Sequence, residues 1–525
     1  MSKAPHVVVV GSGPIGATYA REILEAHPTA TVTMLELGPQ LTEKPGESVK
    51  NIADDDMRAK ARAMSQGPQA DEATRAKLGL PYLQEGTLTA RQGTHLVDFG
   101  GPGSGHAKSF PMASIATNVG GQGAHWTCAV PRPEFSEKID FISEEDWEQS
   151  ISRAEVLLRA NKTPFSKSPI GAAIRAALTE EFKDISTDTV HPYFLPVSGI
   201  EKPNGTMIWG GTDFVFGPLI EKGNPLAERF TLKPLTLARK VLLKDNKAIG
   251  VLMEDAVTGE QSELFADKVV IAADAVRTPQ LLWASGIRPK ALGHYLTEHP
   301  VCFSAIALDG EKLKKYASEE DYVAEKELAK LSPGDPVSGV TRVPFIEPQH
   351  PYSAQIMYVT KPPFPLPDDS PLKDHKYGFA MAGWGGRKFP RYEDAVTFDD
   401  NELDYRGFPN MTIDYELTER EIKEMEDVKV FMHRAADALG AFVPGMGMPR
   451  LMAPGTSLHY MGTHRIGPVD DGTSVCDDTS KVWGYENLFT GGNGTIPTAN
   501  CVNPTLTSVA IAVRGAHKLI EELGN

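Results

Sequence analysis

A glycine-rich turn joins an apolar, strand-like segment to a helical segment at the start of the chain. The sequence predicts a strand over 6–10, then Gly11, Gly13 and Gly16 in the pattern GxGxxG, and a helix from 14 to about 26. Gly11 permits a tight turn, Gly13 lets the backbone approach a pyrophosphate, and Gly16 allows the helix to pack closely on the strand. Free N–H groups at a helix start favour phosphate, so the pattern predicts a Rossmann-like nucleotide-binding domain.

An acidic residue strengthens this interpretation. The next predicted strand covers 31–36 and ends at Glu36, about 20 positions after Gly16, where an acid that binds ribose hydroxyls belongs. The strand, the spacing and the acid together favour nucleotide binding over a purely structural glycine turn. The motif does not separate NAD from FAD, so an NAD-dependent dehydrogenase stays an alternative at this point.

Size and charge limit the other classes of function. A chain of 525 residues exceeds the usual limit of one hydrophobic core, so at least two domains or lobes are expected. With 53 basic and 69 acidic side chains the net charge is −16, which disfavours nucleic acid and anionic membrane surfaces as partners. The longest apolar runs have the length of strands and are too short to span a bilayer.

The cysteines and the N-terminus indicate a cytoplasmic protein. Four cysteines are widely scattered and form no CxxC pair, which argues against a disulfide scaffold and against a zinc site and suits a reducing compartment. The first residues lack the basic region and apolar stretch of a secretion signal. We therefore expect a cytoplasmic location and no metal site.

Hydrophobic periodicity predicts a mixed α/β chain without internal repeats. Three strands are expected as a β-meander over 235–243, 248–255 and 263–273. Helices are expected over 54–64, 144–160, 278–285, 418–439 and 505–519, and further strands over 355–360 and 410–415.

The C-terminal part carries the candidate chemistry. A short strand and a glycine-rich turn lead into a loop that delivers Asn503 and Pro504 to an apolar helix, and His459 and His464 lie on a loop upstream. A neutral imidazole can take a hydroxyl proton, because its unperturbed pKa of ~6.5 lies near working pH. Two structural alternatives stay open: Asn503 before Pro504 also suits a helix N-cap, and an isolated histidine is often a hydrogen-bonded structural residue.

Five segments resemble the FAD-dependent glucose–methanol–choline (GMC) oxidoreductases. They are VGGQGAHWT (119–127), IWGGTD (208–213), KVVIAADAVRTPQLL (268–282), LHYMGTHR (458–465) and GNGTIPTANCVNPTLT (492–507). The first two and the last two are similar to pyranose oxidases, the sugar-oxidising branch of the family. The resemblance covers nearly the whole chain, and the shortness of the chain is typical of the bacterial branch, which includes glycoside 3-oxidases.

The resemblance implies the GMC fold, an α/β architecture with two domains. A Rossmann-like FAD-binding domain would be assembled from the discontinuous segments 1–150, 225–305 and 450–525. A β-sheet substrate-binding domain would comprise 151–224 and 306–449.

The resemblance also implies roles for single residues. His459 matches the catalytic histidine of the family and Asn503 its partner, while His464 would brace the loop and is the substitute base if the pair is misaligned. The cofactor-binding residues carried over from the motifs are Gly11, Gly13, Gly16, Glu36, Gly120, Gly121, His125, Trp126, Thr127, Gly492, Asn493, Pro504 and Thr505.

Two positions depart from the family pattern. His125 matches the histidine that carries the flavin covalently in pyranose oxidases, but Ala124 stands where a Thr usually precedes it. The expectation is therefore bound FAD, with the covalent link through His125 left open. Asp274 stands where the family usually has Gly, near the expected cofactor.

The implied reaction is the oxidation of a ring secondary hydroxyl, at C3 or C2, of a glycoside or a pyranose sugar. Hydride would pass to the flavin with histidine as base, and O₂ or a quinone-type acceptor would reoxidise the flavin. The alternatives are a pyranose 2-oxidase acting on free glucose, a GMC oxidase or dehydrogenase of non-sugar alcohols, and a non-catalytic FAD-binding module.

Overall fold

The nucleotide fingerprint lies on a five-stranded parallel sheet in the computed structural model, which describes residues 4–65, 94–95, 107–332, 337–404 and 406–524. Neighbouring strands all run parallel. Their order across the sheet is Leu488–Thr490, Lys268–Ile271, His6–Val10, Thr31–Leu35 and Phe230–Lys233. The strands come from distant parts of the chain, which confirms the predicted α/β class with a Rossmann-like sheet built from separated segments.

Helices pack beside this sheet and complete the main core. Pro14–Ala26 contacts the C-terminal helix Thr505–Leu523, which in turn contacts Glu144–Leu157. Pro14 stands in the first turn, where a missing N–H costs nothing, and Ser143 caps the third helix. All three predicted helices are confirmed within four residues at each end.

The predicted three-stranded β-meander is confirmed, but its third strand ends at Phe265 and not at residue 273. Thr236–Lys244 pairs antiparallel with Lys247–Asp255, which pairs with Gln261–Phe265. The chain then leaves the meander, and Lys268–Ile271 joins the parallel sheet instead of continuing to 273. Gln261–Phe265 is mostly exposed, whereas Lys268–Ile271 is buried throughout, so the single strand predicted over 263–273 is two strands in two different environments.

The helix predicted over 278–285 starts earlier and covers Asp274–Ala284. Asp274 has a left-handed φ of 72°, and its carboxylate accepts hydrogen bonds from the backbone N–H groups of Val276 (2.6 Å) and Arg277 (2.9 Å). An aspartate is among the few residues besides glycine that adopt this conformation readily. Asp274 therefore begins the helix at a position where the family usually has Gly.

A large antiparallel sheet forms the second layer of the molecule. Its strand order is Gly440–Phe442, Val301–Leu308, Phe379–Gly385, Ser353–Val359, Val337–Val343 and Tyr193–Phe194, with Arg450–Leu451 also paired to Val301–Leu308. One face of this sheet packs on the helices Pro169–Glu181 and Glu419–Leu439 and forms a second core. The opposite face carries Gln355, which pairs in register with Gly383 and reaches the C-terminal loop.

Shorter elements complete the described chain. The remaining helices are Asp55–Met64, Thr212–Phe216, Gly310–Leu313 and Glu319–Lys330. The remaining strands are Thr94–His95 with Ser114–Ile115, Ala160–Asn161 with Val197–Glu201 and Met207–Trp209, and Ala395–Leu403 with Pro409–Asp414. The sequence is polar from Gln40 to about Gly93, and residues 66–93 of that segment lie outside the described residues. Within them, no helix has the length and apolar character needed to cross a membrane.

Candidate active site

The three glycines of the fingerprint serve different purposes. Gly11 has a φ of 100°, and a Cβ there would lie 2.1 Å from the carbonyl oxygen of Ala272. A Cβ on Gly16 would lie 2.1 Å from the carbonyl oxygen of Gly11. Gly13 is different: its φ of −67° suits any residue, and a Cβ there would contact nothing within 4 Å. The backbone conformation therefore does not require glycine at position 13. The missing Cβ leaves an open space beside the turn, which a bound group could occupy.

Glu36 closes the turn from the neighbouring strand. Its carboxylate accepts hydrogen bonds from the Ser12 hydroxyl (2.6 Å), the Ser12 N–H (3.2 Å) and the Gly38 N–H (2.8 Å). Burial raises the pKa of Glu36, and the Ser12 hydrogen bond opposes this shift. The acid predicted from spacing therefore lies at the glycine turn, and Ser12 is a partner that the motif did not predict.

A second glycine turn packs on the first. The Gly120 N–H donates to Ser12 Oγ (3.0 Å), and the Thr212 hydroxyl donates to the Gly120 carbonyl (2.8 Å). A Cβ on Gly121 would come within 3.3 Å of the Gly13 Cα. The structure thus brings together two turns that lie more than 100 residues apart in the chain, with Ser12 shared between them.

His125 follows this turn and is buried. Its Nε2 lies 3.0 Å from Asn118 Oδ1, and burial lowers the pKa of its ring to about 3. The neighbouring Trp126 indole donates to the Gly210 carbonyl (2.8 Å), whereas Thr127 is exposed. The segments 119–127 and 208–213 are therefore in direct contact.

The C-terminal glycine turn lies against the parallel sheet and His464. A Cβ on Gly494 would overlap the His464 ring at 2.0 Å, and the His464 N–H donates to the Gly494 carbonyl (3.0 Å). Asn493 accepts from the Ser508 hydroxyl (2.6 Å) on the following helix. Gly492 has a φ of 125°. These contacts agree with the predicted bracing role of His464.

Asn503 does not cap the C-terminal helix. The N-cap is Pro504, without a capping side chain, and Thr505 is the first helical residue. The Asn503 side chain is buried and its Oδ1 accepts a hydrogen bond from Gln355 Nε2 on the antiparallel sheet. The capping alternative is therefore wrong, and the Asn503 side chain instead contacts the antiparallel sheet.

Glu137 holds the loop that carries Asn503. Its fully buried carboxylate accepts from the N–H groups of Cys501 (2.9 Å) and Val502 (3.0 Å), and it also accepts from the Glu134 N–H (3.0 Å). Each hydrogen bond to a buried charged group contributes about 1.5–3 kcal/mol. Glu137 was not predicted, because its partners in the Asn503 loop lie more than 360 residues away along the chain.

Two consecutive residues, Glu298 and His299, form hydrogen bonds with the loop that carries His459. Glu298 accepts from the N–H groups of Gly455 (2.5 Å) and Leu458 (3.1 Å) and from the Ser457 hydroxyl (2.8 Å). The adjacent His299 places its Nδ1 3.0 Å from Nδ1 of His459. Burial raises the pKa of Glu298 to about 7 and lowers the pKa of His299 to about 4.

The environment of His459 keeps its ring uncharged. The side chain is only partly exposed; the loss of solvent, and next the neighbouring His299, hold the pKa of His459 well below its ordinary value. A neutral imidazole near neutral pH can accept a proton. His299 also connects this ring to Asn500, which lies three residues before Asn503 on the same loop.

Comparisons with known proteins identify the relatives of this chain. Residues 134–301 and 390–512 match two sequence profiles described as GMC oxidoreductase. A C-glycoside 3-oxidase of Microbacterium trichothecenolyticum is 39% identical over 98% of this chain and 96% of its own length. A pyranose 2-oxidase of Tricholoma matsutake is 30% identical over 99% of this chain and 94% of its own length.

A solved structure supports the fold. The crystal structure of pyridoxine 4-oxidase from Mesorbium loti superposes with a TM-score of 0.60 at 15% identity, covering 98% of this chain and 99% of that chain. The nucleotide fingerprint, the two-sheet architecture and the full-length relatives together establish that the chain belongs to the GMC oxidoreductase family.

Proposed function

We propose that the protein is an FAD-dependent oxidase or dehydrogenase of a ring secondary hydroxyl, at C3 or C2, in a glycoside or pyranose, which it converts to a keto-sugar. The substrate class is carried by similarity over almost the entire chain to two C-glycoside 3-oxidases, from Microbacterium trichothecenolyticum and Arthrobacter globiformis, at 39% and 37% identity. The chemistry is supported by the uncharged His459 beside the Asn503 loop.

The residues present fit FAD. The free space beside Gly13 leaves room for a pyrophosphate, the helix Pro14–Ala26 directs its N-terminus there, and Glu36 offers acceptors for ribose hydroxyls. The remaining proposed contacts are Gly11, Gly16, Gly120, Gly121, His125, Trp126, Thr127, Gly492, Asn493, Pro504 and Thr505. When bound, the flavin accepts hydride at N5. We propose that residues 1–150, 225–305 and 450–525 form the FAD-binding domain. Residues 151–224 and 306–449 would form the substrate-binding domain.

We infer that the FAD is held without a covalent bond. His125 is buried, its Nε2 is engaged with Asn118 Oδ1 at 3.0 Å, and Ala124 precedes it. Precipitation of the purified protein with acid is expected to release the yellow flavin into the supernatant. Flavin that stays with the washed precipitate, and leaves it in the His125→Ala variant, would instead establish the link.

His459 and Asn503 divide the work on the alcohol. His459 takes the hydroxyl proton while Asn503 donates a hydrogen bond from its amide nitrogen to the substrate oxygen. Gln355 fixes the Asn503 amide through Oδ1, which leaves the amide nitrogen for the substrate. Glu137 keeps the Asn503 loop in place.

The antiparallel sheet offers room for a sugar ring. Gly383 pairs with Gln355 and, on the other side, with Phe303, and a Cβ on Gly383 would contact nothing within 4 Å. Side chains of paired residues share a face of a sheet, so this space lies on the same face as Gln355. We place the substrate ring there, next to Asn503.

The proposal also includes the electron acceptor and the location of the protein. We propose O₂ or a quinone-type compound as the acceptor that reoxidises the flavin. We also propose the cytoplasm as the location, because Cys128, Cys302, Cys476 and Cys501 are all buried and none of them forms a disulfide.

Anaerobic bleaching of the flavin tests the substrate class. The purified protein is mixed without oxygen with free glucose, an O-glucoside and a C-glucoside at equal concentrations, and the visible absorption is followed. We expect faster reduction by one of the glucosides, and product analysis should then locate the keto group at C3. A galactoside differing at one hydroxyl serves as the matched control for ring recognition.

A pyranose 2-oxidase is the second candidate, favoured by relatives such as that of Emericella nidulans, 28% identical over 99% of this chain. Faster bleaching by free glucose, with a keto group at C2, would select it. Bleaching by no sugar, but by a simple alcohol, would contradict both sugar assignments and favour another GMC alcohol oxidase.

A further inference from the structure

A chain of hydrogen bonds ends at His459 and involves two residues that no motif predicted. His459 Nδ1 lies 3.0 Å from His299 Nδ1, and His299 Nε2 lies 2.8 Å from Asn500 Oδ1. His299 is 3% exposed and Asn500 is 1% exposed, so bulk water does not compete for these atoms. The two imidazole rings meet at 70° with centroids 4.8 Å apart.

The chemistry of these atoms determines where the protons lie. A carbonyl oxygen only accepts hydrogen bonds, so Asn500 Oδ1 requires a proton on His299 Nε2. A neutral imidazole carries one proton, so the Nδ1 of His299 is then an acceptor. The bond between the two Nδ1 atoms must therefore be donated by His459. A proton on Nδ1 of a neutral His459 leaves its Nε2 with a free lone pair.

We propose that Asn500 and His299 are positioning residues that hold His459 in the Nδ1–H tautomer, with Nε2 unprotonated and ready to accept the substrate proton. The inference rests on the proposed role of His459 as the base and adds how the protein prepares it. The partner of one imidazole nitrogen commonly decides which nitrogen carries the proton.

Two features of the structure support this arrangement. Burial lowers the pKa of His299 to about 4, so His299 stays neutral and the proton assignment holds near neutral pH. Glu298, the residue before His299, binds the backbone of the 455–458 loop at three points. Consecutive residues thus hold both the loop and the ring of His459.

The direction of the Asn500 amide decides the outcome. If its Nδ2 faced His299 instead, Nδ2 would donate to His299 Nε2 and His299 Nδ1–H would donate to His459. His459 would then carry its proton on Nε2 and could not act as a base from that atom. The proposal therefore makes a statement about one proton, which can be measured without turnover.

Nitrogen NMR of the oxidised holoenzyme labelled with ¹⁵N-histidine measures this tautomer directly. The His459 signals are identified as those missing from the His459→Ala spectrum. We expect His459 to show a protonated Nδ1 and an unprotonated Nε2. His299→Asn, which retains an acceptor near the position of Nδ1, should preserve this pattern, whereas His299→Leu, which has no acceptor, should shift His459 towards the Nε2–H form.

Flavin reduction supplies the second readout. His299→Leu is expected to slow anaerobic reduction by about 10²-fold at unchanged FAD content, and His299→Asn to recover most of the rate. An Nε2–H tautomer in the wild-type holoenzyme, or an unchanged tautomer in His299→Leu, overturns the proposal. If His299→Leu does not fold, the wild-type spectrum still decides between the two tautomers. Asn500→Asp keeps an acceptor for His299 and should therefore preserve the Nδ1–H form of His459.

The two levels of the proposal fail separately. An Nδ1–H tautomer together with rapid flavin reduction in His459→Ala would retain the positioning by His299 and remove His459 as the base. An Nε2–H tautomer together with slow reduction in His459→Ala would retain the base and remove the positioning.

Discussion

His459→Ala is expected to lower the rate constant of anaerobic flavin reduction by sugar by about 10²–10⁴-fold, the usual contribution of a general base. The substitution removes the neutral imidazole whose pKa the surrounding protein holds well below its ordinary value. FAD content and the melting temperature should stay close to wild type, because the backbone of the loop is held by Glu298 rather than by the imidazole. Stopped-flow absorption of the flavin measures the rate.

A histidine outside the cluster provides the control for this experiment. His433 is exposed on the helix Glu419–Leu439, and His433→Ala should reduce its flavin at the wild-type rate. Near-normal reduction in His459→Ala would exclude His459 as the base. Loss of FAD in His459→Ala would show that the residue serves cofactor binding instead.

Gly13→Val is expected to weaken FAD binding by at least about 100-fold while the chain still folds. The reason is the contrast among the three glycines. A Cβ at Gly13 would meet no protein atom within 4 Å and the φ of −67° is ordinary, so the valine side chain starts in the space proposed for the pyrophosphate. The measurement is FAD retention after gel filtration, followed by titration of the stripped protein with FAD.

Gly11→Ala is the matched variant, in which the expected defect is in folding and not in the space for FAD. Its Cβ would lie 2.1 Å from the Ala272 carbonyl at a φ of 100°, so folding itself should suffer and the melting temperature should fall. Full FAD occupancy in a well-folded Gly13→Val protein would contradict the placement of the pyrophosphate. Equal loss of stability in both variants would mean that the space at Gly13 is needed for folding.

Local patterns predicted the nucleotide-binding end of the molecule well. The strand His6–Val10, the helix Pro14–Ala26 and the acid Glu36 were all read from a segment of fewer than 40 residues, and the structure has them at those positions. Such motifs are predictable because the steric demands of a tight turn and the charge of a phosphate act on neighbouring residues. The family resemblance then predicted His459 and Asn503 as the catalytic pair.

Periodicity alone was insufficient where two adjacent strands belong to different sheets. The predicted strand 263–273 joined the end of Gln261–Phe265 to Lys268–Ile271, although the first pairs with the β-meander and the second with the parallel sheet. Both pieces favour extended structure, and their hydrogen-bonding partners lie in different parts of the chain. The position of the break at Ala266 and Asp267 depends on those partners and not on local propensity.

The sequence by itself determined the class of fold and the family and predicted the nucleotide site, because each depends on short stretches whose glycines, acids and apolar spacing have local physical causes. Only the tertiary structure placed His299 and Asn500 behind His459, and Gln355 and Glu137 around Asn503. These contacts join residues roughly 150 or more positions apart, and no local rule pairs them. They form because two sheets and their connecting loops pack together and exclude water, which makes each buried polar group require a partner.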